Sequence, residues 1–173
     1  MVGLIIGRFQ PFHNGHLKMV QHVYMREENV IIAIGSAQES HTLRDPFTAG
    51  ERYEMIYRAL KKGAVENFYI VPIEDINRNS VWVSHMESFL PHFDVIYTNN
   101  PLVQRLFSEK GFRVQDIYLY KRNSLSGNEI RKLMIEEDSE WKTYVPQPVS
   151  EFIEEIEGVG RMKDIAGSDE FED

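Results

Sequence analysis

Four short apolar runs without polar alternation constrain the fold of this chain more than any other feature. They are VGLIIG at 2–7, VIIAIG at 30–35, FYIVPI at 68–73 and DVIYTNN at 94–100. A strand with one face in water alternates apolar and polar residues, whereas a continuous run is typical of a strand that is buried on both faces. The runs therefore predict the strands of a parallel sheet that is covered on both sides.

Segments with helical periodicity separate these runs. Two apolar stripes recur at helical intervals, one formed by Leu17, Val20 and Tyr24 and the other by Tyr53, Ile56, Tyr57 and Leu60. A capping box of Thr48 and Glu51 precedes the second stripe. Further helices are expected at 80–90 and 101–110, and a fifth strand in FRVQDIYLY from Phe112. This alternation predicts a single α/β domain built on a doubly wound parallel sheet.

The last third of the chain predicts additional C-terminal helices. Ser126 and Glu129 form a second capping box in SLSGNEIRKLM. An amphipathic helix then presents one apolar face, formed by Val149, Phe152, Ile153 and Ile156. The last ten residues carry five acidic groups and no basic one. We therefore expect one domain over 1–163 and a disordered acidic tail over 164–173.

Charge and composition argue against several classes of protein. The net charge is −8, and it is −3 without the acidic tail, whereas a nucleic-acid partner requires a basic face. No window approaches the roughly 18 consecutive apolar residues of a membrane span, and no signal-peptide pattern is present. The chain has no cysteine, which excludes disulfides and thiolate chemistry. We expect a cytoplasmic protein with neither nucleic-acid nor membrane partners.

The segment after the first run, GRFQPFHNGH at 7–16, concentrates chemistry suited to a phosphate. Parallel sheets bind ligands beyond the carboxyl ends of their strands, and this segment shares that edge with the loops GSAQESHTLRDP and TNNP. Gly7 and Gly15 allow close approach of the backbone to a ligand. If Asn14 is the helix N-cap, His16 lies in the first turn, where free N–H groups and the helix dipole favour an anion.

Two histidines and an arginine could serve that anion. His13 and His16 could donate hydrogen bonds to phosphate oxygens, and Arg8 could reach a neighbouring phosphate. The histidines could alternatively bind a metal or act as capping or core residues. A metal site needs three or four ligands, and no nearby acidic residue completes such a set. The combination of two histidines, one arginine and two glycines at a strand–helix junction favours phosphate.

This segment resembles the G-x-F-x-P-x-H-x-G-H motif of the nucleotidyltransferase superfamily. The later segment LSGNEIR, Leu125–Arg131, resembles the superfamily's I-S-x-T-x-I-R motif, which opens a late helix and binds the triphosphate. Asn128 stands where that motif often has threonine, so it does not offer the threonine hydroxyl for a contact. Asparagine can still hydrogen-bond a phosphate or cap a helix.

The chain is most similar to archaeal-type nicotinamide-nucleotide adenylyltransferases. IIGRFQPFHNGHL, IGSAQESHTLRDPFTAGER, NSVWVSHMES, TNNPLV and SGNEIR carry the resemblance, which extends over about 2–162. It implies a Rossmann-like fold and the synthesis of NAD and pyrophosphate from ATP and nicotinamide mononucleotide (NMN), with Mg²⁺. It also implies a homo-oligomer, often a hexamer.

The resemblance assigns residues to ATP. His16 would hold the α-phosphate, His13 the triphosphate, and Arg131 with Ser126 the β- and γ-phosphates. Arg8 would bind a phosphate between the two substrates. His13, His16 and Arg131 are the expected catalytic residues. The full expected ATP site consists of Gly7, Arg8, Phe9, Gln10, His13, His16, Ser126 and Arg131.

A second group is expected to bind NMN or NAD: Gly35, Ser36, Arg44, Asn79, Trp82, Asn99 and Asn100. Trp82 could stack on the cationic nicotinamide ring, and Asn79 could hydrogen-bond its carboxamide. Trp82 could alternatively be a core aromatic residue, and Arg44 an ion-pair partner of its neighbour Asp45. Asn99 and Asn100 could be turn residues ahead of a proline.

Two other functions stay open from the sequence. The chain could transfer a nucleotidyl group to another acceptor, such as pantetheine phosphate or FMN, although Trp82 and the loop SHTLRDPFTAGER favour NMN. It could alternatively be a nucleotide sensor without turnover, which has less need of both histidines and Arg131. A dehydrogenase is disfavoured because no G-x-G-x-x-G follows the first strand. No residue decides between NMN and nicotinic acid mononucleotide.

Overall fold

The structure, a computed structural model, describes residues 1–117 and 126–169. Its five strands are β1 Val2–Gly7, β2 Asn29–Ile34, β3 Phe68–Pro72, β4 Val95–Tyr97 and β5 Arg113–Gln115. They form one sheet in the order β3-β2-β1-β4-β5, and every neighbouring pair is parallel. The predicted parallel sheet is confirmed. The strand order reverses at β1, which opens a crevice beyond the carboxyl ends of β1 and β4.

Helices cover both faces of the sheet, which confirms the doubly wound α/β fold. They are α1 Asn14–Tyr24, α2 Ala49–Lys62, α3 Asn79–Phe89, α4 Pro101–Glu109, α5 Gly127–Ile135, α6 Gln147–Glu155 and α7 Gly158–Asp169, with a 3₁₀ helix at Ser139–Tyr144. One apolar core lies between the sheet and α1, α2, α5, α6 and α7, and the other lies between the sheet and α3 and α4. Adjacent β2 residues serve opposite cores, as Ile31 and Ile32 illustrate.

The predicted burial is wrong in two places. β3 is an edge strand, and Tyr69 is 50% exposed, so the run at 68–73 is not buried on both faces. On α2, Tyr53 and Tyr57 stack on each other with ring centroids 6.2 Å apart and are each 39% exposed. The buried stripe of α2 is rotated toward the residues Arg52, Met55, Ile56, Ala59 and Leu60.

Several predicted helix boundaries are confirmed by their hydrogen bonds. Thr48 and Glu51 cap α2 reciprocally, and Ser126 and Glu129 do the same for α5. Helix α4 begins at Pro101, and Gly111 just beyond its end has a φ of +83°, which glycine adopts without strain.

The C-terminal region only partly follows the sequence expectation. The predicted apolar face of α6 is confirmed for Val149, Phe152 and Ile153, which are buried. Helix α7 continues to Asp169, so residues 164–169 of the expected tail are helical in this structure, while 170–173 lie outside the described residues. Met162 is fully buried on the core and anchors this helix. Propagating an anchored helix adds one hydrogen bond per residue and is much easier than nucleating it. Residues 118–120 of the predicted fifth strand also lie outside the described part.

Candidate active site

The loops after β1 and β2 meet at the crevice and are joined through their backbones. The Gly35 N–H donates to the Gly7 carbonyl at 2.9 Å. Gln10 binds both backbone groups of Phe47, accepting from its N–H at 3.0 Å and donating to its carbonyl at 2.9 Å. Two of the three polar loops that the sequence predicted at one sheet edge are therefore joined by hydrogen bonds.

The first loop turns two of its sequence-predicted residues inward. Phe9 has a φ of +54° and is 1% exposed, and its ring packs against Gly7, where a Cβ would lie 2.8 Å from that ring. Gln10 is 4% exposed and precedes Pro11 through a cis peptide bond. The side chains of Phe9 and Gln10 thus shape the loop from inside and have almost no surface for a ligand.

His13 and His16 cap the N-terminus of α1 reciprocally. The His16 N–H donates to His13 Nδ1, and the His13 N–H donates to His16 Nδ1, each at 3.3 Å. The two rings stack with centroids 3.5 Å apart. The predicted N-cap was Asn14; the structure corrects this to His13, because the Asn14 side chain instead donates to the Thr143 carbonyl at 2.9 Å. His16 nevertheless lies in the first turn, as expected.

Both imidazoles are neutral at physiological pH. Burial lowers the pKa of His13 to about 4, and burial together with the His13 charge lowers the pKa of His16 well below 6.5. Each Nδ1 accepts a backbone N–H, so the proton of each neutral ring lies on Nε2. No residue within the described ranges accepts a hydrogen bond from either Nε2. The helix start therefore carries two oriented N–H donors.

Arg131 links the start of α5 to the first loop. Its guanidinium donates to the carbonyls of Gln10 at 2.7 Å and Leu43 at 2.9 Å, and to Asn128 Oδ1 at 3.3 Å. These bonds use three of its five N–H groups. Gly127 permits the close approach, since a Cβ there would lie 3.0 Å from the Gln10 carbonyl oxygen. Asn128, the departure from the superfamily motif, thus orients the arginine.

Arg8 and Arg44 share the carboxylate of Asp45. Arg8 Nη1 lies 3.3 Å from both carboxylate oxygens, and Arg44 Nε lies 3.9 Å from Oδ2. The side chains of Arg8 and Arg44 are 39% and 74% exposed, whereas that of Asp45 is 7% exposed. The buried Asp45 carboxylate therefore holds Arg8 at the crevice. It also lies within ion-pair distance of Arg44, as the alternative for that residue requires.

A cavity of about 220 Å³ lies beside Trp82 in the same crevice. Trp82 is half-buried, and its ring meets Phe107 edge-on with centroids 5.8 Å apart. Four residues expected to bind NMN or NAD line this cavity, together with further polar groups and the apolar floor: Ile6, Gly7, Arg8, Gly35, Ser36, Ile73, Asp75, Trp82, Met86, Thr98, Asn100 and Val103. Trp82 is therefore both packed on the core and open to a ligand.

Three other residues of the expected NMN group lie outside the lining. Asn79 is the exposed first residue of α3, and Arg44 contacts Asp45 as described. The Asn99 amide bonds both backbone groups of Ile117 at 2.8 Å, which holds the chain after β5. Asn100 caps α4 through Oδ1 and lines the cavity as well. The hydrogen bonds of Asn100 fit the turn alternative, whereas the Asn99 side chain joins the end of β4 to the chain after β5.

A solved structure has the same architecture. A bifunctional NMN adenylyltransferase/ADP ribose pyrophosphatase from Francisella tularensis, complexed with AMP and a manganese ion, matches with a TM-score of 0.77 at 21% identity. The match covers 98% of this chain and 53% of that one, so this chain spans about half of the bifunctional protein. At this identity the similarity establishes the Rossmann-like fold.

Sequence relatives decide the family. Residues 4–133 match the cytidylyltransferase-like family. A nicotinamide-nucleotide adenylyltransferase from Picrophilus torridus is 54% identical, with 98% of this chain and 100% of that protein covered. One from Archaeoglobus fulgidus is 51% identical, with 98% and 99% covered. The chain belongs to the nicotinamide-nucleotide adenylyltransferase family.

Arg52 is a buried cation at the site that the sequence analysis did not identify. Arg52 is fully buried, and its five N–H groups all bond backbone carbonyls, those of Arg8, Gly35, Ser36, Glu39 and Thr48, at 2.9–3.3 Å. It fixes the loops after β1 and β2 to the start of α2. The sequence contained the signal, because an arginine three and four residues before Met55 and Ile56 lies on the buried stripe of α2.

Asp75 is a further crevice residue, and the sequence did not single it out for a role. Asp45 was named from the sequence only as an ion-pair partner of Arg44, although it lies in the segment IGSAQESHTLRDPFTAGER. Across residues 1–117 and 126–169, no group of three or more His, Cys, Asp or Glu side chains is arranged to hold a metal ion. In the same part of this adenylyltransferase family member, no helix is long and apolar enough to cross a bilayer.

Proposed function

We propose that this protein transfers the adenylyl group of ATP to NMN and forms NAD and pyrophosphate. The observation that carries the proposal is the histidine pair at the start of α1, which aims two Nε2–H donors from a helix N-terminus. Relatives at about half identity and of matching length, named nicotinamide-nucleotide adenylyltransferases, support the choice of reaction.

The ATP side of the site would consist of five cationic or donor residues. His16 and His13 would donate from Nε2 to the α-phosphate and its neighbour. Arg131 has two N–H groups left, and these would reach the β- and γ-phosphates, with Ser126 beside them at the capped start of α5. Arg8, held by Asp45, would bind a phosphate between the two substrates. Phe9, Gln10 and Gly7 would contribute through the shape of the loop.

The reaction would be a direct in-line displacement. An oxygen of the NMN 5′-phosphate attacks the α-phosphorus of ATP, a new P–O bond forms, and the bond to the β-phosphate oxygen breaks to release pyrophosphate. No side chain forms a covalent intermediate, so the protein acts by positioning and by stabilising charge. Neutral Nε2–H donors suit this task because they are preorganised and need not gain or lose a proton.

The acceptor side would be the cavity beside Trp82. The nicotinamide ring would lie against this side chain, while Gly35 and Ser36 would approach the nucleotide through the loop after β2. Asn100 and Thr98 would offer polar groups at the carboxyl end of β4. Asn79, Asn99 and Arg44 would have to act from outside the cavity lining, and we assign them supporting roles.

We propose that Mg²⁺ enters as part of the MgATP substrate. The described residues provide no cluster of metal ligands, whereas the phosphates of ATP themselves supply oxygen ligands of the kind that Mg²⁺ prefers. The manganese ion bound with AMP in the Francisella tularensis protein supports the use of a divalent cation. Nucleotide turnover measured with Mg²⁺, with Mn²⁺ and with a chelator tests this point.

The deciding experiment incubates the purified protein with NMN, ATP and Mg²⁺ and measures NAD and pyrophosphate. We expect both products in equal amounts. A folded protein that binds ATP without forming NAD would contradict the acceptor, and FMN and pantetheine phosphate would then be tested in the same assay. ATP or NAD binding without turnover of any acceptor would support the sensor instead.

Assembly and location are further parts of the proposal. The family resemblance predicts a homo-oligomer, often a hexamer. Light scattering coupled to size-exclusion chromatography measures its mass. The cysteine-free sequence is compatible with the predicted cytoplasmic location. Cell fractionation tests that prediction.

A further inference from the structure

Asp75 places a carboxylate in the cavity beside Trp82 that the proposed reaction does not use. Ser36 Oγ donates to Asp75 Oδ2 at 2.5 Å. The Asp75 N–H donates to Gln38 Oε1 at 3.0 Å. No residue of the described ranges donates to Oδ1. Asp75 therefore presents a fixed negative charge with one acceptor oxygen available to a ligand.

The position of this carboxylate is set by the backbone of the loop after β2. Ser36 has a φ of +49°, and its carbonyl accepts from buried Arg52 at 3.0 Å. The next residue, Ala37, donates its N–H to the Ile73 carbonyl at 3.1 Å, which ties the loop to the end of β3. Because these contacts fix Ser36, its hydroxyl holds the carboxylate in place before any ligand binds.

We propose that Asp75 selects an acceptor whose ring bears a carboxamide over one whose ring bears a carboxylate. This inference rests on the proposed function, since it concerns the acceptor of that reaction. A carboxamide can donate an N–H to Oδ1, and the carboxylate attracts the cationic pyridinium ring. A ring carboxylate has no hydrogen to donate and adds a like charge, so it leaves Oδ1 without a partner.

The cations of the crevice already have hydrogen-bond partners or assigned roles. Arg8 also lines the cavity, but its guanidinium is paired with Asp45 at 3.3 Å and is assigned to a phosphate. Arg52 is buried and has all five N–H groups on backbone carbonyls, so none is left for a ring carboxylate. Among the described lining residues, Asp75 is the one that carries a negative charge.

The test compares kcat/KM for NMN and for nicotinic acid mononucleotide in wild type, Asp75→Asn and Glu74→Gln. Asp75→Asn keeps the shape and removes the charge, and Glu74→Gln removes a neighbouring exposed charge outside the cavity lining. We expect wild type to prefer NMN at least tenfold. Asp75→Asn should reduce this preference by about tenfold, which corresponds to about 1.4 kcal/mol, and Glu74→Gln should leave it unchanged.

Binding of the products gives a second readout that does not depend on turnover. Calorimetry with NAD and with its nicotinic acid counterpart should show the same preference and the same loss in Asp75→Asn. Equal use of both acceptors by wild type, or an unchanged ratio in folded Asp75→Asn, would overturn the role of Asp75 and leave the proposed function standing. Absence of any dinucleotide from either acceptor would instead overturn the proposed function, and this inference with it.

Discussion

The N-termini of α1 and α2 share one hydrogen-bond pattern and differ in chemistry. In α2, Thr48 and Glu51 bond each other's backbone N–H groups, and α5 repeats this arrangement with a serine and a glutamate. In α1 the same two bonds are made by His13 and His16. Hydroxyl and carboxylate groups are the usual members of a capping box, so the imidazoles of α1 are the exception.

The two helix starts also differ in charge. Glu51 places a negative charge at the positive end of the α2 dipole and pairs with Arg161 through two contacts of 2.7 Å. The first turn of α1 has no acidic residue, and its capping rings are neutral. The positive potential of α1 is thus left for an external anion, such as a phosphate.

Removing His16 should break the proposed α1 function most completely. For His16→Ala we expect kcat/KM to fall at least a hundredfold, which corresponds to about 2.7 kcal/mol of lost transition-state stabilisation. The lost cap should lower the free energy of unfolding by about 1 kcal/mol. Steady-state kinetics of NAD formation and urea denaturation measure the two effects separately.

His22, in the last turn of the same helix, supplies the matched control. It contacts Arg26 and lies away from the capping box. His22→Ala should retain activity within about twofold, since His22 contacts Arg26 and none of the groups proposed to bind substrate. A loss in His16→Ala no larger than that in His22→Ala would show that the histidine at the α1 start serves the fold, like the cap of α2.

Mild acid should weaken the α1 start before the α2 start. His13 has a pKa of about 4 in the folded protein and about 6.5 when unfolded, so below pH 6.5 the unfolded chain binds more protons. The free energy of unfolding should therefore fall with pH from about 6.5 toward 4, by up to about 1.4 kcal/mol per pH unit for each such histidine. The pKa of Glu51 is lowered because contacts with Arg161 and Thr48 outweigh its burial, so its contribution is lost only below the ordinary glutamate range.

Replacing the histidine cap of α1 with a serine–glutamate cap sharpens this prediction. The double variant His13→Ser, His16→Glu gives α1 the cap that α5 has. Urea denaturation from pH 7.5 to 5.0 should show a smaller loss of stability than in wild type, and NAD formation should be abolished. An unchanged pH dependence would mean that the acid sensitivity lies in another part of the protein.

The fold could be predicted because its signals are local. Apolar runs located β1 and β2, and the Thr48 and Ser126 caps located the starts of α2 and α5 within one residue. The exposure of β3 was missed, since whether a strand lies at the edge depends on the order of strands in the sheet and not on the strand itself. The helix at 164–169 was missed because burial of Met162, a tertiary contact, anchors it.

The sequence proposes candidate site residues but does not give their arrangement. The motif identified His13, His16 and Arg131, yet their present hydrogen bonds depend on partners far along the chain, such as the Gln10 carbonyl for Arg131. Arg52 was overlooked because its role depends on its five carbonyl partners, and these come from three separate segments of the chain. A periodicity analysis that includes charged residues would have placed it on the buried face of α2.

The ion pair at the α2 start should contribute stability and not catalysis. The side chains of Glu51 and Arg161 are 17% and 21% exposed, so Glu51→Gln should lower the free energy of unfolding by about 1–2 kcal/mol. Glu155→Gln is the control, because Glu155 is 54% exposed in its pair with Arg58 and should contribute less than about 0.5 kcal/mol. Both variants should keep kcat/KM within about twofold. A large loss of kcat/KM in Glu51→Gln would mean that the α2 start also contributes to catalysis.

Thr48 offers the smallest and most specific change at the α2 cap. Its Oγ1 accepts the Glu51 N–H at 3.2 Å, while its backbone carbonyl accepts from Arg52 and is unaffected by the side chain. Thr48→Ala should therefore cost about 1 kcal/mol of unfolding free energy, and Thr48→Ser should restore most of it because serine keeps the acceptor oxygen. Urea denaturation measures both. If Thr48→Ala also reduced NAD formation as strongly as His16→Ala, the caps of α1 and α2 would both be positioning the catalytic loops, and the division between them would not hold.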